Sequence, residues 1–139
     1  MLDTRTPVND TFRKDIDVAD TGLVDPTDVD VLIQGEWVTL DANGKAVRLS
    51  TDATKLAYQV FTPKGDYAAQ ALGRVNVLQL HEYEADTDVF ADGLVVSPGD
   101  ELTVGVITLD TVAGKSGLKA AGAGNYIHAI AIKDQANNG

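Results

Sequence analysis

The spacing of turn-forming residues is the feature that most constrains what this chain can fold into. After residue 30, Gly, Pro, Asn and Asp recur at short intervals, and the stretches between them are too short for a convincing helix of about ten residues or more. Several of these stretches alternate apolar and polar residues, as strands with one buried face do. The sequence therefore predicts an all-β fold, a small β-barrel or sandwich.

The strongest local signal is a hairpin. Trp37–Leu40 and Lys45–Leu49 alternate in polarity on either side of Asp41-Ala-Asn-Gly44, and an Asn-Gly pair between two such runs is typical of a tight turn in which Gly takes a positive φ. Five further strands are predicted, at Leu56–Phe61, Gly73–Leu80, Leu94–Val96, Glu101–Leu109 and Tyr126–Ile132. The last of these is largely apolar and is expected to be central in its sheet. The Ala-rich segment Tyr67–Leu72 predicts a helical turn or two.

Length and composition bound the possible functions. The chain has 139 residues, room for one domain, and is 44% hydrophobic, enough for a packed core. It has no cysteine, which excludes disulfides, thiol catalysis and cysteine-ligated metal. Its net charge of −10 argues against nucleic acid as the main partner, because phosphate binding needs clustered Lys and Arg. No membrane partner is expected, since no apolar run approaches the roughly 18 residues of a membrane span, and no secretory signal is predicted.

The first thirty residues differ from the rest. They hold eight aspartates and only three basic residues, so half of the net charge lies there. Neither helical nor strand periodicity persists in them. Two interpretations stay open, a flexible acidic tail and an arm that becomes ordered on a partner. In the second, the anchors are the apolar residues Val8, Phe12, Ile16, Val18, Leu23 and Val24. The predicted organisation is an extended acidic arm, residues 1–30, followed by a β-barrel domain, residues 31–139.

The sequence offers little for catalysis or metal binding. His128 lies in an apolar run and is interpreted as structural, whereas His81 stands beside Glu82 and could join a metal site, although no motif spacing supports one. Residues 82–101 carry seven acidic residues and no Lys or Arg. The EF-hand pattern fails in this stretch, so an exposed acidic loop is expected and calcium binding stays open. Trp37 is interpreted as a core or interface aromatic, with ligand stacking as the alternative. No catalytic residue, metal site or cofactor is predicted, and the chain is not expected to be an enzyme.

An ordered series of motifs occupies the second half. Ser97-Pro-Gly-Asp-Glu-Leu-Thr-Val104 is followed by Ser116-Gly-Leu-Lys-Ala-Ala121 and then by Gly124-Asn-Tyr-Ile-His-Ala-Ile-Ala-Ile132. The hairpin that begins at Gly35 and turns at Gly44 precedes them. This arrangement of turns and apolar positions, over residues 31–133, resembles the small β-barrel capsid decoration (cement) proteins of tailed bacteriophages.

The resemblance implies a structural function. Such proteins bind the major capsid protein on the outside of the phage head after expansion and reinforce the shell, so the implied location is the capsid exterior of a virion assembled in the host cytoplasm. Many form homo-oligomers, with a trimer favoured here. Several use an extended N-terminal arm that lies along the capsid protein or adds a strand to it, as residues 1–30 would. The alternative is another virion or adhesive β-module, such as a head fibre, a tail component or a carbohydrate-binding domain, and an enzyme ranks third.

Overall fold

The predicted all-β fold is confirmed. A computed structural model of the chain describes residues 2–4, 13–62, 73–78, 83, 85–91, 93–108, 114–132 and 135–136. The strands in these ranges are β1 (Leu2–Thr4), β2 (Arg13–Asp17), β3 (Trp37–Leu40), β4 (Ala46–Arg48), β5 (Tyr58–Thr62), β6 (Arg74–Leu78), β7 (Ala85–Thr87), β8 (Val95–Val96), β9 (Glu101–Val106), β10 (Ser116–Ala120), β11 (Ala129–Ile130) and β12 (Gln135–Ala136). A 3-10 turn at Thr21–Leu23 is the one helical element of the described ranges. None of their helices is long and apolar enough to span a bilayer.

Two principal antiparallel sheets organise the chain. The larger has five strands in the order β2-β6-β5-β3-β4, and the smaller has three in the order β10-β9-β11. Two short antiparallel pairs, β1 with β7 and β12 with β8, complete the described pairings. The closure of these sheets into a barrel stays a prediction.

The hairpin predicted around Asn-Gly is confirmed. β3 and β4 pair antiparallel, and Gly44 has a φ of 75°, a conformation that costs glycine little because it has no Cβ. The Asp41 carboxylate fixes the turn, since its Oδ1 accepts from the N–H groups of Asn43 at 2.8 Å and Lys45 at 2.9 Å. An aspartate that bonds the backbone two residues on is a common device in tight turns.

The buried apolar side chains form two clusters. The first core comprises Ile16, Val18, Leu23, Val24, Leu32, Val38, Ala46, Val60, Val75 and Val77. The second core comprises Trp37, Leu49, Ala53, Ala57, Val96, Leu102, Val104 and Leu118. β3 serves both, because successive side chains of a strand point to opposite faces. Val38 therefore packs in the first core and Trp37 in the second, which supports the interpretation of Trp37 as a core aromatic.

The N-terminal segment joins the fold from residue 13 onward. β2 pairs with β6 along its whole length, from Arg13 opposite Leu78 to Asp17 opposite Arg74. Val18 then forms a parallel bridge with the first residue of β4. Residues 13–24 thus supply a sheet strand and part of the first core, and the described chain runs on through residue 30 without a break.

The other predicted strands are found with shifted bounds, as β5, β6, β8 and β9. The expectation that Tyr126–Ile132 is a central strand is wrong, because only β11 pairs there and it lies at the edge of its sheet among the described residues. The sequence patterns do not predict β2 and β10. The helical turn expected at Tyr67–Leu72 lies outside the described residues.

Candidate interaction surface

In the ranges that the structure describes, no three His, Asp or Glu side chains are placed to share a metal ion. Asp86, Asp88, Asp100 and Glu101 of the acidic stretch are described, whereas His81 and its neighbour Glu82 lie outside the described residues. The most prominent chemical feature of the described surface is instead apolar.

That feature is an exposed row of aliphatic side chains near the C-terminus. Ile130 and Ile132 are 61% and 59% exposed, and Tyr126 and Ile127 are each 37% exposed. The alternate residues Ala129 and Ala131 turn inward and pack against the second core. We refer to residues 126–132 as the isoleucine edge. The segment therefore has two apolar faces. The alanine face packs against the second core, and the isoleucine face is exposed to solvent.

Backbone hydrogen bonds hold the isoleucine edge against β9 on one side. The N–H groups of His128 and Ala131 donate to the carbonyls of Leu102 and Asp100, each at 2.9 Å. The second of these bonds flanks the Ile130–Glu101 pair, which is therefore a non-hydrogen-bonded pair of the antiparallel ladder. It follows that the N–H and C=O of Ile130 face away from β9.

The His128 side chain connects the start of the isoleucine edge to the loop before β5 by a hydrogen bond. Its Nε2 accepts from the Ala57 N–H at 3.2 Å, so the proton of the neutral ring is on Nδ1, which donates to the Tyr126 carbonyl at 3.2 Å. The ring also meets Trp37 edge to face, with centroids 5.7 Å apart. Burial lowers the pKa of His128, and hydrogen bonding to the backbone of Lys55 and Tyr126 opposes that shift. These contacts support the interpretation of His128 as structural.

A shallow open groove adjoins the same end of the isoleucine edge. Its volume is about 430 Å³, and its lining residues are Thr39, Leu40, Thr54, Lys55, Leu56, Tyr58 and Tyr126. Lys55 Nζ donates to the Leu40 carbonyl, which places the ammonium group within the lining. The groove thus combines two tyrosines with a few polar groups.

Carboxylates border the isoleucine edge on the β9 side. Glu101 is the cross-strand neighbour of Ile130, and Asp100 precedes it; both residues are exposed. The Asp100 carboxylate accepts from the Ser97 N–H at 2.9 Å, which fixes it in the turn before β9. These two carboxylates place negative charge beside Ile130.

Comparison of the chain with protein-family models, with curated proteins and with solved structures finds no match.

The predicted partner-binding residues lie elsewhere. Ile16, Val18, Leu23 and Val24 belong to the first core, where each is less than a tenth exposed. Val8 and Phe12 lie outside the described residues. Contact of these six residues with a partner stays a prediction, and the four described ones would have to leave the core to make it.

Glu36 is the buried ionisable residue that needs a structural account, since its side chain is fully buried. Its Oε1 accepts from Arg48 Nε at 2.5 Å and from the Ser116 N–H at 3.0 Å, and its Oε2 accepts from the Ile33 N–H at 3.0 Å. Because Ser116 begins β10, this carboxylate joins the two principal sheets. Partners from the chain itself satisfy both oxygens, as a structural role requires.

The isoleucine edge is not predicted by the hydrophobic pattern of the sequence. A signal was present, because alanines and isoleucines alternate from residue 129 to residue 132. Both residue types count as apolar, so a two-letter hydrophobic pattern merges them into one buried strand. The difference in side-chain size is what separates the packed face from the exposed one.

Proposed function

We propose that this protein is a capsid decoration (cement) protein, which attaches to the major capsid protein on the outside of a phage head and stabilises the shell. The observation that supports attachment is the isoleucine edge. Exposed apolar side chains that lie together are candidate interaction sites, and the carboxylates of Asp100 and Glu101 lie beside them. The assignment of the partner as a capsid is supported by the resemblance over residues 31–133.

The physical properties of the chain suit repeated attachment. A small apolar patch gives a weak individual contact, but many copies on one shell, or a trimer at each position, gain from multivalency. A protein with a net charge of −10 is also repelled by nucleic acid, which suits a component placed on the outside of a DNA container.

Cosedimentation with expanded shells tests this function. The shells come from the phage that encodes this chain and are prepared without it. We expect saturable binding by the full chain and a strong loss of binding by the double variant Ile130→Ser, Ile132→Ser. The matched control is Val29→Ser, because Val29 is 89% exposed but lies in the turn before β3. The absence of binding by the unaltered chain would contradict the proposal.

A second candidate function is carbohydrate binding. It is favoured by the groove, where Tyr58 and Tyr126 supply aromatic surface of the kind on which sugar rings pack. A glycan array with the full chain would reveal it. Glycan binding that is weakened by Leu56→Asp in the groove, together with no binding to shells, would favour this candidate over capsid decoration.

A further inference from the structure

We propose that the isoleucine edge accepts an extended segment of the partner by strand addition to β11, and that this segment carries aliphatic residues flanked by Lys or Arg. The inference rests on the proposed attachment function and names the partner chemistry of that surface. It differs from the arm hypothesis, because here the partner supplies the strand and this chain supplies the sheet edge.

The backbone geometry provides the first argument. β11 is the edge strand of the three-stranded sheet in the part of the chain that is described. The N–H and C=O of Ile130 face away from β9, as the Ile130–Glu101 pairing and the flanking Ala131 bond require. An added strand satisfies such groups without demanding a particular side-chain sequence.

The exposed isoleucine side chains determine which residues the partner segment needs opposite them. Ile130 and Ile132 are two residues apart and therefore share one side of the chain. A strand that pairs with β11 places its own alternate residues beside them, at the short distances typical of cross-strand neighbours. Aliphatic residues at two alternate positions would cover both isoleucines.

The negative charge of Asp100 and Glu101 determines which residues should flank the aliphatic pair of the partner segment. Glu101 lies on the same face as its cross-strand neighbour Ile130, and Asp100 lies in the turn next to it. A Lys or Arg beside the aliphatic pair would extend its apolar stem over the isoleucines and bring its charge to these carboxylates. A second copy of this chain is disfavoured as the occupant, because two carboxylate borders and two net charges of −10 would meet.

Peptide titration followed by backbone amide NMR tests the inference. The probe is acetyl-Lys-Thr-Val-Thr-Val-Thr-Lys-amide, in which both valines and both lysines share one face of an extended chain. We expect chemical-shift changes confined to residues 99–102 and 126–132. A matched peptide with Glu in place of both Lys should bind about tenfold more weakly. A peptide with both valines N-methylated, which removes the backbone donors that face β11, should lose most of its binding.

Two chain variants sharpen the result. The double variant Ile130→Ser, Ile132→Ser should lose the response, whereas Val29→Ser should keep it. Glu101→Lys should narrow the difference in affinity between the two charged peptides, because it leaves Asp100 as the only carboxylate of the border. The inference is overturned if the Glu peptide binds as well as the Lys peptide, if the N-methylated peptide binds unchanged, or if dilution of the chain alone moves the same resonances, which would identify a second copy as the occupant.

Different results would overturn capsid decoration and strand addition. Shell binding that needs Ile130 and Ile132, combined with no peptide response, would leave capsid attachment standing and overturn strand addition. A peptide response with the expected charge preference, combined with no shell binding, would overturn capsid decoration and leave a strand-accepting edge for a different protein partner.

Discussion

Glu36 and His128 each connect segments that are distant in sequence. The Glu36 carboxylate bonds the side chain of Arg48 in β4 and the backbone of Ser116 in β10, and the His128 ring bonds the backbone of Ala57. Both side chains are held by hydrogen bonds to these distant segments. Stability should therefore respond to substitutions at these two sites, and to pH at His128, more than at exposed charged residues.

Removal of the Glu36 charge should be strongly destabilising. Glu36→Gln replaces one carboxylate oxygen with an NH2 group, which cannot accept the hydrogen bonds that this oxygen now accepts. It also leaves Arg48 half-buried without its counter-ion. We expect a loss of about 3 kcal/mol in the free energy of unfolding, measured by urea denaturation. The control is Asp17→Asn, which breaks the exposed pair with Arg74 and should cost less than about 1 kcal/mol. Equal costs would contradict a structural role for Glu36.

The stability of the chain should fall as the pH drops below about 6.5, the usual pKa of histidine. Burial lowers the pKa of His128 in the folded state, so the unfolded state binds more protons in this range and stability rises with pH. The contribution is complete above the unfolded pKa and is lost as the pH falls through the folded value. Urea denaturation between pH 7.5 and 5 would measure it.

Substitution of His128 isolates this effect. His128→Gln should flatten the part of the pH dependence that lies below pH 6.5. If the His128 variant kept the full pH dependence, the assigned neutral state would be incorrect.

At the scale of elements, β2 determines how the N-terminal segment behaves. Ile16 is its buried residue, whereas Lys14 and Asp15 are exposed. Ile16→Ala should cost about 2–4 kcal/mol because it leaves a cavity in the first core, whereas Lys14→Ala should change stability by less than about 0.5 kcal/mol. Thermal or urea denaturation of the two variants makes the comparison, and equal stability would contradict the placement of β2 in the sheet.

Deletion of residues 1–30 should abolish folding rather than release an intact domain. The fragment 31–139 lacks the strand that pairs with β6 and the buried side chains of Leu23 and Val24. We expect a circular dichroism spectrum without the β-sheet signal and poor amide dispersion in NMR. A fragment with native dispersion would show that the first core closes without this segment.

The same elements show what sequence patterns predict and what they do not. The β3–β4 hairpin is predictable because its turn chemistry and alternation are local. β2 is not predicted from sequence patterns, because its one buried residue, Ile16, stands among charged neighbours. Only pairing with β6, about sixty residues away, makes it a strand. β11 is misjudged for the opposite reason. Its apolar residues suggest burial, whereas its place in the sheet exposes every second one.

At the scale of the whole molecule, the two cores are physically joined. β3 contributes Val38 to the first core and Trp37 to the second, and Glu36 bonds β10 directly across the sheets. If β3 detaches from one core, it also removes its side chain from the other core. We therefore expect the described part of the chain to unfold as one cooperative unit.

Two spectroscopic probes test this cooperativity. Trp37 is the one tryptophan of the sequence and reports on the second core, whereas far-ultraviolet circular dichroism reports on the strands of both sheets. Their denaturation curves should coincide, with the same midpoint and slope. Separate midpoints would show that the cores unfold independently.

The turn at residues 41–45 gives the molecule a natural place for a marker. Residues 42–45 are exposed, and no atom lies within 4 Å of the position where a side chain on Gly44 would begin. Exposed hairpin tips of this kind tolerate inserted sequence. A short epitope placed there would mark each copy, so electron microscopy with a bound antibody fragment could establish the orientation of the chain on a shell that binds it.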